Sequence, residues 1–205
     1  MRNALYRTGA SIPLDQWAPG SPHADPQRGR VHVLEREQLL DRPVSEVFAF
    51  FAEARNLERI TPPFLQFEVL SPDPIPMGVG TLIEYRLRLH RVPVRWVTRI
   101  EVWETNTMFV DRQVLGPYSL WHHTHEFQAV GSGTLVLDRV RYAVPFGPLG
   151  QLARLLFVQR DLDDVFAYRR TAVLREFGVS TRVDSRSGIE APLAERTETA
   201  CHLRL

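Results

Sequence analysis

Residues Thr81 to Val102 read TLIEYRLRLHRVPVRWVTRIEV. Up to Leu89 the odd positions Ile83, Tyr85, Leu87 and Leu89 are apolar, while Glu84, Arg86 and Arg88 fall between them. After His90-Arg91 the phase inverts: Val92, Val94, Trp96, Thr98, Ile100 and Val102 form the apolar set against Arg95, Arg99 and Glu101. A period of two is that of a β-strand with one face in a core and one in water. The two runs are therefore half-buried strands, and side-chain parity tells which residues face inward.

The same reading carries downstream through the turns. At Glu104-Thr105-Asn106-Thr107, pairing Trp103 with Met108 sets Val102 opposite Phe109 and Ile100 opposite Asp111, which predicts Phe109, Asp111, Gln113 and Leu115 inward. In Thr134 to Val144 the inward set is Val136, Asp138, Val140, Tyr142 and Val144, with Arg139 and Arg141 outside. Between these runs lies SLWHHTHEF, Ser119 to Phe127, which holds three of the seven histidines. Its odd positions Trp121, His123, His125 and Phe127 read as inner, and His122 is expected to face solvent or an outer surface.

Hairpin register then supplies partners for the inward histidines. The Gly-Ser centre of Val130-Gly131-Ser132-Gly133 suits a tight turn, and pairing Val130 with Gly133 sets His125 opposite Asp138 and Trp121 opposite Tyr142. A three-residue turn at Gly116-Pro117-Tyr118 sets Asp111 opposite His123, and a slip of two residues sets it opposite His125 instead. The expectation is a polar cluster of Asp111, His123, His125 and Asp138 on an otherwise aromatic and aliphatic inner face.

The flanks complete the architecture. A first strand near His32 to Leu40 leads into Asp41-Arg42-Pro43, where Asp41 can cap a helix and Pro43 suits its first turn. Val44, Val47, Phe48 and Phe51 then make one apolar helical face. The last element starts at Gly147-Pro148 and carries Leu149, Leu152, Leu155, Leu156, Leu162, Val165, Phe166, Ala172, Val173 and Phe177 at mostly helical spacing, with Gly178 placed as a C-cap glycine. Residues 1–30 and 179–205 lack an apolar period and read as an irregular lead-in and a flexible tail around one domain, 31–178. The fold class is α+β: a curved antiparallel sheet of about seven strands wrapped around a long C-terminal helix, with short helices after the first strand.

Charge narrows the partners. With 25 basic and 24 acidic residues the formal net charge is +1, so no field favours nucleic acid or an anionic membrane. The single cysteine, Cys201, excludes a disulfide framework and suits a reducing cytoplasm. No apolar run approaches the ~20 residues of a membrane span, and the N-terminus lacks the order of a signal peptide. A cytoplasmic protein without integral membrane association is expected, and no segment names a protein partner.

With these elements in order, the chain resembles the ligand-binding SRPBCC superfamily, the START-related helix-grip proteins that include polyketide cyclases and lipid-transfer domains. The resemblance spans about Val33 to Phe177. It rests on VFAFFAEARNLERITPPF (Val47 to Phe64), PVRWVTRI (Pro93 to Ile100), FVDRQVLGPYSLWHHTHEF (Phe109 to Phe127) and DRVRYAVPFGPLG (Asp138 to Gly150). It implies a helix-grip fold with a cavity between sheet and helix, and it points to a bacterial subfamily without an established activity. No role is carried over to individual residues.

Three functions fit the inner face. In the first, the protein binds or carries a hydrophobic or amphipathic metabolite, such as a lipid, isoprenoid or polyketide, among Tyr85, Trp96, Thr98, Gln113, Trp121, His123, His125, Asp138 and Tyr142. Here the His-Asp cluster is a self-satisfied polar network that orients the ligand's polar end. In the second, His123 and His125, with Asp138 and Asp111, move protons in a cyclase, dehydrase, isomerase or hydrolase reaction. In the third, His123 and His125 with a carboxylate hold a metal ion. The first is preferred, with no cofactor and no metal. No arginine falls on the inward strand faces, which argues against cyclase chemistry that relies on a pocket guanidinium.

Overall fold

The structure, a computed structural model, describes residues 30–178, so both expected tails lie outside the described residues. The strands are β1 (His32–Leu40), β2 (Glu68–Val69), β3 (Leu82–Leu89), β4 (Val92–Glu104), β5 (Met108–Leu115), β6 (Leu120–Val130) and β7 (Gly133–Ala143). They form one antiparallel sheet in the order β1-β7-β6-β5-β4-β3-β2. Two short helices, α1 (Val44–Ala52) and α2 (Asn56–Ile60), follow β1. The C-terminal helix runs through α3 (Gly147–Ala153), a π-helical stretch (Arg154–Val158) and α4 (Gln159–Phe177). This is the helix-grip architecture.

The core lies between sheet and helices. Phe48 of α1 meets Trp103, Phe109 and Phe127 edge-on, with ring centroids 5.2 to 6.1 Å apart. Leu162 and Phe166 of α4 pack with Val140 and Tyr142 of β7. Each buried aromatic or branched side chain removes apolar area from water at about 25 cal/mol per Å², which holds the helix against the sheet.

The β6–β7 hairpin has the expected register: Val130 faces Gly133, His125 faces Asp138 and Trp121 faces Tyr142. The β4–β5 register differs near its turn. Glu104 pairs with Met108 and Trp103 with Phe109, while Ile100 still faces Asp111 because Glu101 forms a bulge. One extra residue inverts parity. Trp103 therefore enters the core in place of Val102. A second irregularity sets Leu115 opposite Val97, an outer-face residue, and leaves Leu115 exposed.

Two further expectations change. Asp41 does not cap α1: Pro43 is itself the N-cap, without a side-chain cap bond, and Asp41 accepts a hydrogen bond from Ser132. The final helix is continuous, but its apolar stripe is buried only in the second half. Leu162, Phe166, Ala172, Val173 and Phe177 are buried, whereas Leu149, Leu152, Leu155 and Leu156 are 75, 54, 62 and 58% exposed. The π-helical turn between the halves changes the residues per turn, so a single 3.6-residue stripe does not hold along the whole helix.

Candidate functional site

A cavity of about 1120 Å³ opens between the sheet's inner face and the helices. This is slightly above the ~300–1,000 Å³ usual for small-molecule sites. Tyr85, Trp96, Thr98 and Trp121 line it, as do Asp111, His123 and His125. Trp96 and Trp121 meet edge-on at 5.3 Å, and the Trp96 indole donates to Thr98 Oγ1 at 3.0 Å. The indole N–H is thereby satisfied, so the surface that Trp96 presents is apolar. Burial pushes the Tyr85 phenol far above its ordinary pKa, so it stays neutral.

Three expected lining residues stand behind the wall instead. Gln113 braces the β5–β6 connection: its amide nitrogen donates to the Tyr118 carbonyl at 2.7 Å, and its oxygen accepts from the Tyr118 N–H at 3.3 Å. Tyr142 is buried in the core among Val140, Leu162 and Phe166. Asp138 lies beneath the two imidazoles.

The polar cluster spans β5, β6 and β7. Backbone register places Asp111 opposite His123 and His125 opposite Asp138, the first of the two expected β5–β6 alignments. The side chains then cross diagonally: His123 Nε2 is 2.9 Å from Asp138 Oδ1, and His125 Nε2 is 3.0 Å from Asp111 Oδ2. His125 Nδ1 also sits 2.8 Å from Asp138 Oδ1, close but poorly aligned for a hydrogen bond. His123 Nδ1 is 3.8 Å from Asp111 Oδ2. The rings lie 3.7 Å apart, with Phe109 stacked on His125 at 4.3 Å and Phe166 beside His123 at 5.9 Å.

Aromatic packing buries most of the cluster, and the paired charges decide its ionisation. Burial alone would raise both carboxyls, but hydrogen bonds and charge from the imidazoles hold Asp111 below its ordinary pKa and Asp138 well below. Burial and the neighbouring His125 lower His123. His125 is raised despite burial, because both carboxylates contact it. The inward pair is thus inequivalent, with His125 the more basic imidazole.

His122 lies on the other face of the sheet, yet it is buried rather than in solvent. Its neighbours across the sheet are Arg112 and Arg141, long side chains whose stems shelter an outer face. Burial lowers its pKa to about 4, against the pull of Glu101, whose Oε2 is 3.9 Å from Nε2.

The helix wall supplies the residue that strand parity could not reveal. Arg169 of α4 lines the cavity, and its guanidinium carbon lies 5.4 Å from the centre of the Phe166 ring. Its Nε and Nη1 are buried without a hydrogen-bond partner among the described residues. No strand arginine lines the cavity, as expected, but Arg169 of the helix and Arg91 of the β3–β4 turn do, so the argument against a cavity guanidinium does not extend beyond the strands. The spacing of Arg169 was visible in sequence, since Leu162, Phe166, Arg169 and Val173 share one helical face. At the mouth, the β3–β4 turn meets the helix through His90, whose Nε2 is 2.7 Å from Asp161 Oδ2 and whose ring is 5.9 Å from Phe157.

Comparisons with known proteins agree with the fold. Residues 40–167, more than half of the chain, match the profile of a family described as polyketide cyclase / dehydrase and lipid transport. Among curated protein sequences none matches significantly. Solved structures share the fold. The Zhui aromatase/cyclase of a Streptomyces species is 13% identical with a TM-score of 0.54, over 72% of this chain and 96% of that one. A Thermus thermophilus protein is 21% identical with a TM-score of 0.52, over 72% and 100%. A major latex-like protein of Panax ginseng is 12% identical with a TM-score of 0.52, over 73% and 99%. Among the described residues no helix is long and apolar enough to cross a membrane.

Proposed function

Since the chain belongs to the polyketide cyclase / dehydrase and lipid transport family, we propose that it binds one amphipathic small molecule of lipid, isoprenoid or polyketide character, with an acidic or oxyanionic end directed at Arg169. The observation that carries this reading is the Arg169 guanidinium, with Nε and Nη1 buried and without hydrogen-bond partners, on the wall of a large, mostly apolar cavity. A buried charged donor without a partner is costly, and a ligand oxyanion would relieve that cost by charge-assisted hydrogen bonds. The apolar remainder of the ligand would lie along Trp96, Trp121 and the face of the sheet.

Native mass spectrometry of freshly purified protein tests the reading. The expected result is a bound organic species that denaturation releases, together with rebinding of acidic lipids to extracted protein. Protein that leaves purification bare and takes up none of a panel of acyl, prenyl and polyketide acids would contradict it.

A second reading, proton transfer within the same cavity, draws on the placement of His123, His125 and Asp111 on the wall, with Asp138 behind them. An imidazole fixed by a carboxylate is the usual form of a general acid or base. Conversion of the co-purified ligand that is lost in His123→Ala and His125→Ala, with ligand binding retained, would favour catalysis. Ligand recovered unchanged after prolonged incubation would leave binding alone.

A further inference from the structure

We propose that Asp111, His123 and His125 bind one divalent transition-metal ion, Zn(II) or Fe(II), with Asp138 as the carboxylate that orients both imidazoles. One nitrogen of each ring is directed at Asp138. Its Oδ1 is hydrogen-bonded with His123 Nε2 at 2.9 Å and lies 2.8 Å from His125 Nδ1, a contact that a small ring rotation would align. The other nitrogens, His123 Nδ1 and His125 Nε2, both face Asp111 Oδ2, at 3.8 and 3.0 Å. These three atoms all lie within 4.8 Å of one another.

That spacing is close to a coordination sphere. An ion held at ~2.0–2.1 Å by tetrahedral ligands sets neighbouring donors about 3.3 Å apart. The two separations from Asp111 Oδ2, 3.8 and 3.0 Å, fall on either side of that value. Two imidazoles and one carboxylate on one side of an ion form the facial set used by Zn(II) and non-haem Fe(II). The second layer fits as well, because metal-bound histidines commonly donate their other N–H to a carboxylate.

Placement and charge agree with this. Asp111, His123 and His125 line the cavity, so the remaining coordination positions would open toward water or a ligand oxygen. Neither Asp111 nor Asp138 pairs with an arginine within 4.0 Å among the described residues; their close ionic partners are the two imidazoles, and Arg169 adds a longer-range positive charge at Asp111. With neutral imidazoles the cluster carries two negative charges, which a divalent cation would balance.

The metal site goes beyond the ligand reading and does not rest on it. Zinc uptake is measured on extracted protein, and probe binding on chelator-treated protein, so either reading can fail alone. Untagged protein is stripped with a chelator, given Zn(II) or Co(II), and freed of excess ion. The expected result is about one equivalent bound, d–d absorption of low-coordinate Co(II), and an X-ray absorption spectrum of the zinc-loaded wild type that shows two imidazoles. Asp138→Asn should weaken binding by ~10–100-fold, and Asp111→Ala should abolish stoichiometric binding. Less than a tenth of an equivalent on wild type, or a zinc spectrum without paired imidazoles, overturns the proposal. Both of these wild-type readouts stand even where a variant fails to fold.

Discussion

On the sheet wall of the cavity two carboxylates are held by two imidazoles at 2.8 to 3.0 Å, whereas on the helix wall the Arg169 guanidinium buries Nε and Nη1 without a hydrogen bond. Both arrangements place charge next to Phe166, Trp121 and other aromatic rings. They differ in what completes them. The sheet cluster pairs its carboxylates with imidazoles inside the protein and would gain further from a cation, while the helix guanidinium would gain its missing hydrogen bonds from a ligand anion. A buried charge with partners is a structural commitment, and one without partners marks a position where a ligand contributes.

The largest effect expected from this contrast is on stability. Asp138→Ala leaves two buried imidazoles without their shared acceptor and should cost ~3–5 kcal/mol, the usual result of breaking a buried ionic set by removing one member. Urea denaturation of metal-free protein measures it. A loss below ~1 kcal/mol would show that the sheet cluster is more solvated than its packing implies. Arg169→Met should act in the opposite sense. It removes a guanidinium whose Nε and Nη1 lack hydrogen bonds and whose charge acts on Asp111 only through space, so stability should hold or rise slightly, while affinity for an acidic ligand falls by the ~1.5–3 kcal/mol of charged hydrogen bonds.

Smaller effects sharpen the difference between the two halves of the helix wall. His90→Ala removes the contact to Asp161 where the β3–β4 turn meets the helix, and should speed probe dissociation by a few-fold with little change in melting temperature. An unchanged off-rate in stopped flow would remove His90 from the exit route. Leu149→Gln lies on the exposed part of the stripe and should change stability by no more than ~0.5 kcal/mol. Phe166→Ala, on the buried part, should cost ~3–5 kcal/mol.

Parity reasoning succeeds where one face of a strand is wet and the turn is tight. The β6–β7 register follows from Gly131-Ser132 and from two independently apolar faces, so the His125–Asp138 alignment is legible from residues alone. At β4–β5 the bulge at Glu101 inverts the phase, and nothing in EVWETNT announces it, so Trp103 takes the place that parity assigns to Val102. Backbone pairing also does not fix the side-chain pairing. Asp111 faces His123 in register yet hydrogen-bonds His125, because long side chains reach diagonal neighbours.

Residues on a helix that crosses a sheet are harder to assign. Arg169 shares its helical face with Leu162, Phe166 and Val173, but an arginine in an apolar stripe reads equally as a snorkelling surface residue. Only the position of the cavity shows that its Nε and Nη1 are shut away from water. His122 shows that an outer face need not be a wet one. It is on the outer face as expected, and the neighbouring arginines of β5 and β7 account for its burial there.

On the helix wall Arg169 is placed to meet an anion in a cavity otherwise suited to apolar groups. A fluorescent fatty acid and its neutral methyl ester, titrated into wild type and Arg169→Met, separate charge recognition from apolar binding. One site per chain is expected, with binding of the acid weakened by ~10–100-fold in the variant and binding of the ester equal in both proteins. Acid and ester weakened alike, or no saturable binding of either to the wild type, would contradict that role for Arg169.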